Sequence, residues 1–241
     1  MHQIFHRYAH RYDLHTPPEH YRDDHDFVLE LARKKSDPVR LLDVGCGTGV
    51  LIERARKNGI DAYGIDASAE MVETATRRLG QGAVDRRRMQ EISFAGDFDV
   101  VTALSWTLNY CDGDLELADI LRRCRNALRP KGTLVAQVAH AAHATGELYE
   151  DVESGPEGQE NDVRFLYRFA SLENSALRAD YVYACMSANE LAFETHVLQM
   201  ADVRRVAQLV SATGFNDVRI FDSWRGDAFR SSVSPFIVAR I

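Results

Sequence analysis

The stretch Leu41-Leu42-Asp43-Val44-Gly45-Cys46-Gly47-Thr48-Gly49 constrains this chain more than any other part of it. A short apolar run reads as a buried strand, and three glycines at alternate positions cannot continue it, so the strand must end in a tight turn. Val50 to Lys57 then reads as a helix, stopped by Asn58-Gly59 in the manner of a C-cap. A strand that runs through glycines into a helix leaves the helix's first N–H groups free and lets a ligand approach the backbone. The spacing is GxGxG rather than the GxGxxG that cradles a pyrophosphate. Gly45, Gly47 and Gly49 are therefore expected to border a ligand at the carboxyl end of a strand.

The residues around this turn repeat the same alternation. Asp26 to Lys35 reads as a helix ended by Pro38, Asp61 to Ile65 as a strand, and Ser68 to Arg78 as a helix with Ser68 at its N-cap. A weak strand follows at Val84 to Met89, and a buried one at Phe98 to Leu104. Leu115 to Leu128 is an amphipathic helix, closed by Arg129-Pro130-Lys131-Gly132, and Thr133 to Ala139 is a further strand. Alternating strands and helices imply a parallel sheet covered on both faces. Past residue 140 the pattern changes. Glu147 to Asp162 is acidic and glycine-containing and reads as a loop. Val163 to Phe169, Ala176 to Met186 and Glu190 to Gln199 have strand composition and are separated by polar turns at Glu173-Asn174 and Ser187 to Asn189. That is a three-stranded antiparallel meander. Val203 to Thr213 is a last helix, with closing strands at Val218 to Asp222 and Phe236 to Arg240.

Bulk properties exclude several classes. The 241 residues are 45% hydrophobic and 27% charged, an ordinary globular balance. A net charge of −7 disfavours sequence-independent nucleic-acid binding, which rewards Lys/Arg surfaces. Arg86-Arg87-Arg88 and the group Arg122, Arg123 and Arg125 read as solvated side chains. No run is long and apolar enough for a bilayer, and the first residues lack a signal-peptide core, so a cytoplasmic protein with no membrane partner is expected. Cys46, Cys111, Cys124 and Cys185 lack paired spacing and read as reduced thiols, with no metal cluster. Six of the nine histidines fall in residues 1–25, and a helix there would stack His2, His6 and His10 on one face. No carboxylate or cysteine completes a ligand set, so that segment reads as amphipathic, with Phe5, Tyr8 and Tyr12 packing inward.

Two acidic residues sharpen the glycine turn. Asp66 ends the second strand roughly 20 residues past the glycines, where a carboxylate that accepts hydrogen bonds from a ribose belongs; the alternative is a helix cap. Asp43 lies inside an apolar strand, where a carboxylate is costly unless satisfied by N–H groups or a cationic ligand.

With these elements in place, the sequence resembles the class I S-adenosylmethionine-dependent methyltransferases. Leu41–Gly49 matches the family's first motif, and Gly64-Ile65-Asp66-Ala67-Ser68 with Met71 the second. Asp97-Phe98-Asp99-Val100-Val101 matches its fourth strand, and Leu128-Arg129-Pro130-Lys131-Gly132-Thr133-Leu134 the turn before its fifth. The resemblance implies an α/β, doubly wound, Rossmann-like seven-stranded sheet with the meander inserted as a lid. It implies an N-terminal lid segment at 1–25, an S-adenosylmethionine-binding domain at 26–140 and 200–241, and a substrate lid at 141–199. It further implies that S-adenosylmethionine is held by Tyr12, Asp43, Gly45, Cys46, Gly47, Gly49, Asp66, Ala67, Met71, Met89, Gln90 and Leu104. Arg88 stands where the family carries an aspartate for the adenine edge, and an arginine cannot accept that hydrogen bond. The second half is similar to bacterial small-molecule N-methyltransferases of amino sugars and glycopeptides: Tyr12-Asp13 matches their closing segment, and Glu194-Thr195-His196 with Met200 their last meander strand.

An activated methyl donor leaves the enzyme to position the acceptor and receive a proton. His140, His196 and Tyr12 are the candidates for catalysis, His140 as base or cap and His196 facing either the pocket or solvent. Tyr8, Trp106, Asn109 and Tyr110 are the candidates for acceptor binding, Trp106 as pocket wall or core filler. The acceptor is expected to be a small molecule, the favoured chemistry N-methylation, and the protein a homodimer through the meander. O-, S- or C-methylation is the alternative. A nicotinamide-dependent oxidoreductase is disfavoured by the glycine spacing and by the absence of a Tyr-x-x-x-Lys pair, and a catalytically inactive binding fold by the intact Asp43, glycines and Asp66.

Overall fold

The computed structural model describes residues 2–35, 38–152, 163–186 and 188–241. In chain order its helices and strands begin with α1 (Tyr12–His15), α2 (Arg22–Arg33), β1 (Arg40–Val44), α3 (Val50–Lys57), β2 (Asp61–Asp66), α4 (Ala69–Leu79) and β3 (Val84–Arg86). There follow β4 (Phe98–Ala103), α5 (Asp114–Ala127), β5 (Leu128–Gln137), β6 (Thr145–Val152), β7 (Val163–Ser171), β8 (Leu177–Cys185), β9 (Glu190–Leu198), α6 (Val203–Ala212), β10 (Asn216–Phe221) and β11 (Phe236–Arg240).

β1 is central because it is apolar on both faces: Leu41, Leu42 and Val44 are all buried. It pairs in parallel with β2 and with β4, β2 with β3, and β4 with β5, while β11 is antiparallel to both β5 and β10. The resulting seven-stranded order is β10-β11-β5-β4-β1-β2-β3. The chain winds outward from β1 to β3, then crosses back to β4, so a crevice opens between the carboxyl ends of β1 and β4. One apolar layer joins Leu42, Val44 and Val101 to Leu117, Leu121, Val206 and Val210, and the other joins Leu41 and Val100 to Val28, Leu29, Leu51 and Ile52. Each fully buried side chain of this size contributes about 1.5–3 kcal/mol of transfer free energy. α3 approaches β2 as closely as a glycine allows: a Cβ on Gly64 would stand 2.4 Å from Ile52 Cδ1 and 2.8 Å from Cys46 Sγ.

Four differences from the sequence reading have physical causes. The inserted sheet has four strands, not three, because Thr145–Val152, which runs into the expected acidic loop, pairs with β7, Tyr149 opposite Tyr167 and Leu148 opposite Arg168. Glu147, Glu150 and Asp151 mask that alternation in the sequence. The remainder of that loop, 153–162, and Ser187 of the expected turn lie outside the described residues. β5 starts at Leu128, whose pairing with Phe98 precedes a register shift, so the Pro130 turn is an irregularity inside a strand. α2 begins at Arg22, earlier than expected. Residues 2–11 form two short 3-10 turns at Gln3–Phe5 and Ala9–Arg11 instead of a helix, so His2, His6 and His10 do not stack. No helix among the described residues is long and apolar enough to cross a membrane.

Candidate functional site

The glycine turn is sewn to the end of β2. Gly45 N and Cys46 N both donate to Ile65 O, at 2.8 and 3.0 Å, and Gly49 N donates to Cys46 O at 2.9 Å. Gly45 has φ +73°, and a Cβ there would stand 2.4 Å from Thr107 Oγ1, so both conformation and space require glycine. Asp66 closes the turn, its Oδ2 accepting from Gly47 N at 2.9 Å and its Oδ1 from Ser68 N at 2.8 Å. Burial raises its pKa against these hydrogen bonds. Ser68 caps α4 by accepting from Met71 N, which sets Ala67 and Met71 beside Asp66. Asp43 is buried and accepts from Thr102 Oγ1 at 2.7 Å. Burial, aided by the neighbouring Asp66, pushes its pKa up to about 7 against the Thr102 hydrogen bond.

On the next strand outward, Met89 and Gln90 sit in a 3-10 turn after β3. Gln90 Nε2 donates to Glu116 Oε1 at 2.9 Å, which fixes the amide, and its Oε1 is buried without a partner. Buried acceptors are rarely left unpaired unless a ligand completes them.

The N-terminal arm lies across the crevice and touches both sheets. Asp13 accepts from Thr48 Oγ1 at 2.6 Å and is also gripped by Arg78. Ser68 Oγ donates to Phe5 O, and His6 pairs with Glu70 at 2.8 Å. Toward the small sheet, Arg11 pairs with Glu190, and Gln3 N and Ile4 N donate to Glu194 at 2.6 and 3.1 Å. Tyr12, within this arm, is half-buried, with its hydroxyl 3.3 Å from that of Tyr21.

At the floor of the small sheet, Tyr110 Oη lies 2.7 Å from His196 Nδ1, and His196 Nε2 lies 2.9 Å from Glu194 Oε1. Glu194 and His196 are two apart on β9, so they share its inner face. His2, Phe5, Tyr110 and Tyr181 surround the imidazole, His2 at a ring-centroid distance of 3.6 Å and Tyr181 at 4.9 Å. Burial, with Tyr181, Tyr12 and Glu194 close by, lifts the Tyr110 pKa well above its usual value and keeps the phenol protonated. Burial opposes ionisation of Glu194 too, but hydrogen bonds from His196, Ile4 and Gln3 outweigh it and hold the carboxyl below the usual range. Burial and His196 push His2 down to about 4. His2, Glu194 and His196 offer ligand atoms within 4.8 Å of one another, the one group of this kind among the described residues. Both Glu194 oxygens already receive N–H donors, which favours a hydrogen-bonded chain over ion coordination.

Residues 41–132 match the family model described as a methyltransferase domain. A putative methyltransferase, YqeM of Bacillus subtilis, is 26% identical over 188 residues, 75% of each chain. The dTDP-4-amino-2,3,4,6-tetradeoxy-D-glucose N,N-dimethyltransferase of Saccharopolyspora spinosa is 31% identical over 111 residues, and that match spans 46% of this chain and 45% of the relative. The crystal structure of Streptomyces venezuelae DesVI superposes with a TM-score of 0.77 at 19% identity, over 95% of this chain and 94% of that one. Residues 41–132 carry a methyltransferase domain, and the chain is an enzyme that uses S-adenosylmethionine.

The residues of the methyltransferase fit that cofactor. An unpaired buried acceptor at Gln90, a carboxylate at the end of β2 and a buried carboxylate at Asp43 match an adenine amine, a ribose and a cationic amino-acid tail in chemistry. Cys46 and Leu104 are buried beside the turn. The other sequence candidates separate. Tyr8 is buried against Tyr183 of the small sheet at 4.7 Å, apart from the Tyr110 group. Asn109 uses its whole amide on the backbone, donating to Gln199 O and Met200 O and accepting from Ala139 N, so it braces the crevice. Trp106, at φ +65°, donates Nε1–H to Ser234 Oγ and packs edge-on against Phe169. His140 accepts the Val203 N–H at 3.2 Å, which spends its Nδ1 on the start of α6, and its ring packs on Phe229 and His143. Geometry brings His196, Tyr110 and Tyr12 together and leaves His140 outside. Glu194, Asp13 and Thr48 are site residues that the sequence reading named only within matching segments and gave no role. The i, i+2 spacing of Glu194 and His196 on a strand is the signal that was available for the first.

Proposed function

We propose that the enzyme methylates the amino group of a small polar molecule, with an amino sugar as the favoured acceptor. The observation that carries this reading is the Tyr110–His196–Glu194 chain, walled by His2, Phe5 and Tyr181 and roofed by the N-terminal arm. An amine arrives at neutral pH as an ammonium and must lose a proton before its lone pair can attack. Aromatic faces and a nearby carboxylate accommodate that cation. The Tyr110 oxygen accepts the proton as its own passes to His196 Nδ1, and Glu194 balances the imidazolium formed. Bound in the crevice, S-adenosylmethionine supplies a methyl group already activated on a sulfonium. Tyr12 and Asp13 close the arm over it, excluding water, while Asp43, Gly45, Gly47, Gly49, Asp66, Ala67, Met71, Met89 and Gln90 hold it. In this reading residues 1–25 are a lid, 26–140 with 200–241 carry the cofactor, and 141–199 cover the acceptor. The Saccharopolyspora spinosa relative, an amino-sugar N,N-dimethyltransferase by name, supports the acceptor class. The buried thiols of Cys46, Cys111 and Cys124 are in keeping with a cytoplasmic enzyme.

The test is transfer of labelled methyl from S-adenosylmethionine to paired acceptors: a nucleoside-diphosphate amino sugar and the same sugar with a hydroxyl in place of the amine. Label on the amine alone is expected. Label on the hydroxyl sugar and none on the amine would sink N-methylation.

The outer face of the small sheet supports self-association. Leu191, Phe193 and Val197 alternate along β9 with the site residues, and Leu148 joins them from β6, all exposed. Pairing this face in a homodimer would remove it from water. Phe193→Asp together with Leu191→Glu is expected to yield monomers by analytical ultracentrifugation where the native chain sediments as a dimer. A native chain that is monomeric at tens of micromolar contradicts the dimer.

A further inference from the structure

We propose that Glu194 is a positioning residue that couples closure of the N-terminal arm to the tautomer of His196; this rests on the reading of Tyr110 and His196 as the proton path. The same carboxylate takes the amides of Gln3 and Ile4 and the Nε2 of His196. An ionised carboxylate only accepts hydrogen bonds, so the His196 proton must sit on Nε2. Nδ1 then carries the lone pair, and the Tyr110 hydroxyl, 2.7 Å away, must donate to it. That arrangement has a direction: the Tyr110 oxygen keeps its lone pairs for an incoming proton, and Nδ1 is free to receive the phenol's own. The opposite tautomer would point Nδ1–H at the phenol oxygen and block the path.

The arm completes this geometry. Gln3 N and Ile4 N hold the carboxylate in place, and the His2 ring, 3.6 Å from that of His196, covers the imidazole from the solvent side. The groups facing His196 are Glu194 on its own strand, Tyr181 on β8, Tyr110 from the turn after β4 and His2 from the arm. All but Tyr181 depend for their placement on contacts that cross between the arm, the small sheet and the large one. When the arm lifts to exchange cofactor, Glu194 loses two of its three donors and His196 loses its cover. The base is therefore assembled only in the closed state, in which water is excluded from the methyl donor.

The experiment uses the full chain saturated with S-adenosylhomocysteine. The His196 ring nitrogens are read by 15N NMR, and exchange of the residue 2–8 amides by mass spectrometry. The native chain is expected to show the Nε2–H tautomer. Glu194→Gln can donate as well as accept, so His196 is expected to shift to Nδ1–H. The arm amides are expected to exchange at least about tenfold faster, with S-adenosylhomocysteine affinity within about threefold. On a methyl acceptor, kcat should fall about 100-fold with KM little changed, the scale of a lost general base. A native Nδ1–H tautomer, or a Glu194→Gln chain unchanged in both tautomer and arm exchange, would overturn the proposal. Should Glu194→Gln fail to fold, Gln3→Pro with Ile4→Pro removes the two arm donors and leaves the carboxylate. A His196 ring N–H that stays equally protected while that arm exchanges freely would equally overturn it. Failure of the amine reading would appear in the acceptor pair and leave the tautomer unaffected.

Discussion

Asp66→Ala is expected to weaken S-adenosylhomocysteine binding by about 100-fold or more, because two hydrogen bonds to a charged acceptor contribute roughly 1.5–3 kcal/mol each. The carboxylate sits at the end of β2, tied by Gly47 N and Ser68 N, so it is already oriented before any ligand arrives. That fixed placement is what makes the loss large: no ordering cost remains for the ligand to meet. Asp66→Asn, which keeps one acceptor oxygen and the size of the side chain, should lose less. Isothermal titration of both variants, with circular dichroism to check that they fold, decides the matter. A dissociation constant within threefold of native for Asp66→Ala would remove the ribose role.

Acid is expected to destabilise the protein steeply, through two histidines that the fold buries without charge. Burial drives both His15 and His25 down to about 3, the latter with help from Arg54. His15 stacks on Phe165 at 4.4 Å and its Nε2 has no partner; His25 stacks on Tyr21 and its Nδ1 has none. A histidine whose folded pKa is depressed contributes stability that is complete above the unfolded value near 6.5 and is lost as pH falls toward the folded value. Each therefore removes about 1.4 kcal/mol per pH unit below about 6.5. His15→Phe keeps the stack on Phe165 and cannot be protonated. Its melting temperature should lie near native at pH 7.5 and well above native at pH 5. Calorimetric melting curves that fall in parallel for the two chains across that range would refute the assignment.

Legibility in the sequence follows the distance over which each feature is decided. The glycine turn and the Ser68 cap are local: φ restrictions and N–H groups within a few residues fix them, and Asp66 stands at the end of the strand just before that cap, so the pattern from Leu41 to Ser68 is readable in one dimension. The central strands are readable because burial on both faces leaves continuous apolar runs such as Leu134 to Ala136. β6 was not readable, because its edge position tolerates Glu147 and Glu150, and its pairing with β7 is a partner effect. The histidines were ambiguous for the same reason. His140 and His196 look alike as histidines at or near strands; one caps α6 and the other meets Tyr110 and Glu194.

By itself the sequence determined the α/β sheet, the ligand-bordering turn and the carboxylate that follows it, since backbone sterics and burial act between near neighbours. Only the tertiary structure decided the acceptor side of the site. Tyr110 and His196 are 86 residues apart and His2 lies beyond both, so their meeting depends on how the small sheet and the arm pack across the carboxyl ends of β1 and β4. The direction of the proton path follows from that packing, because a histidine's tautomer is set by the groups that fold against it.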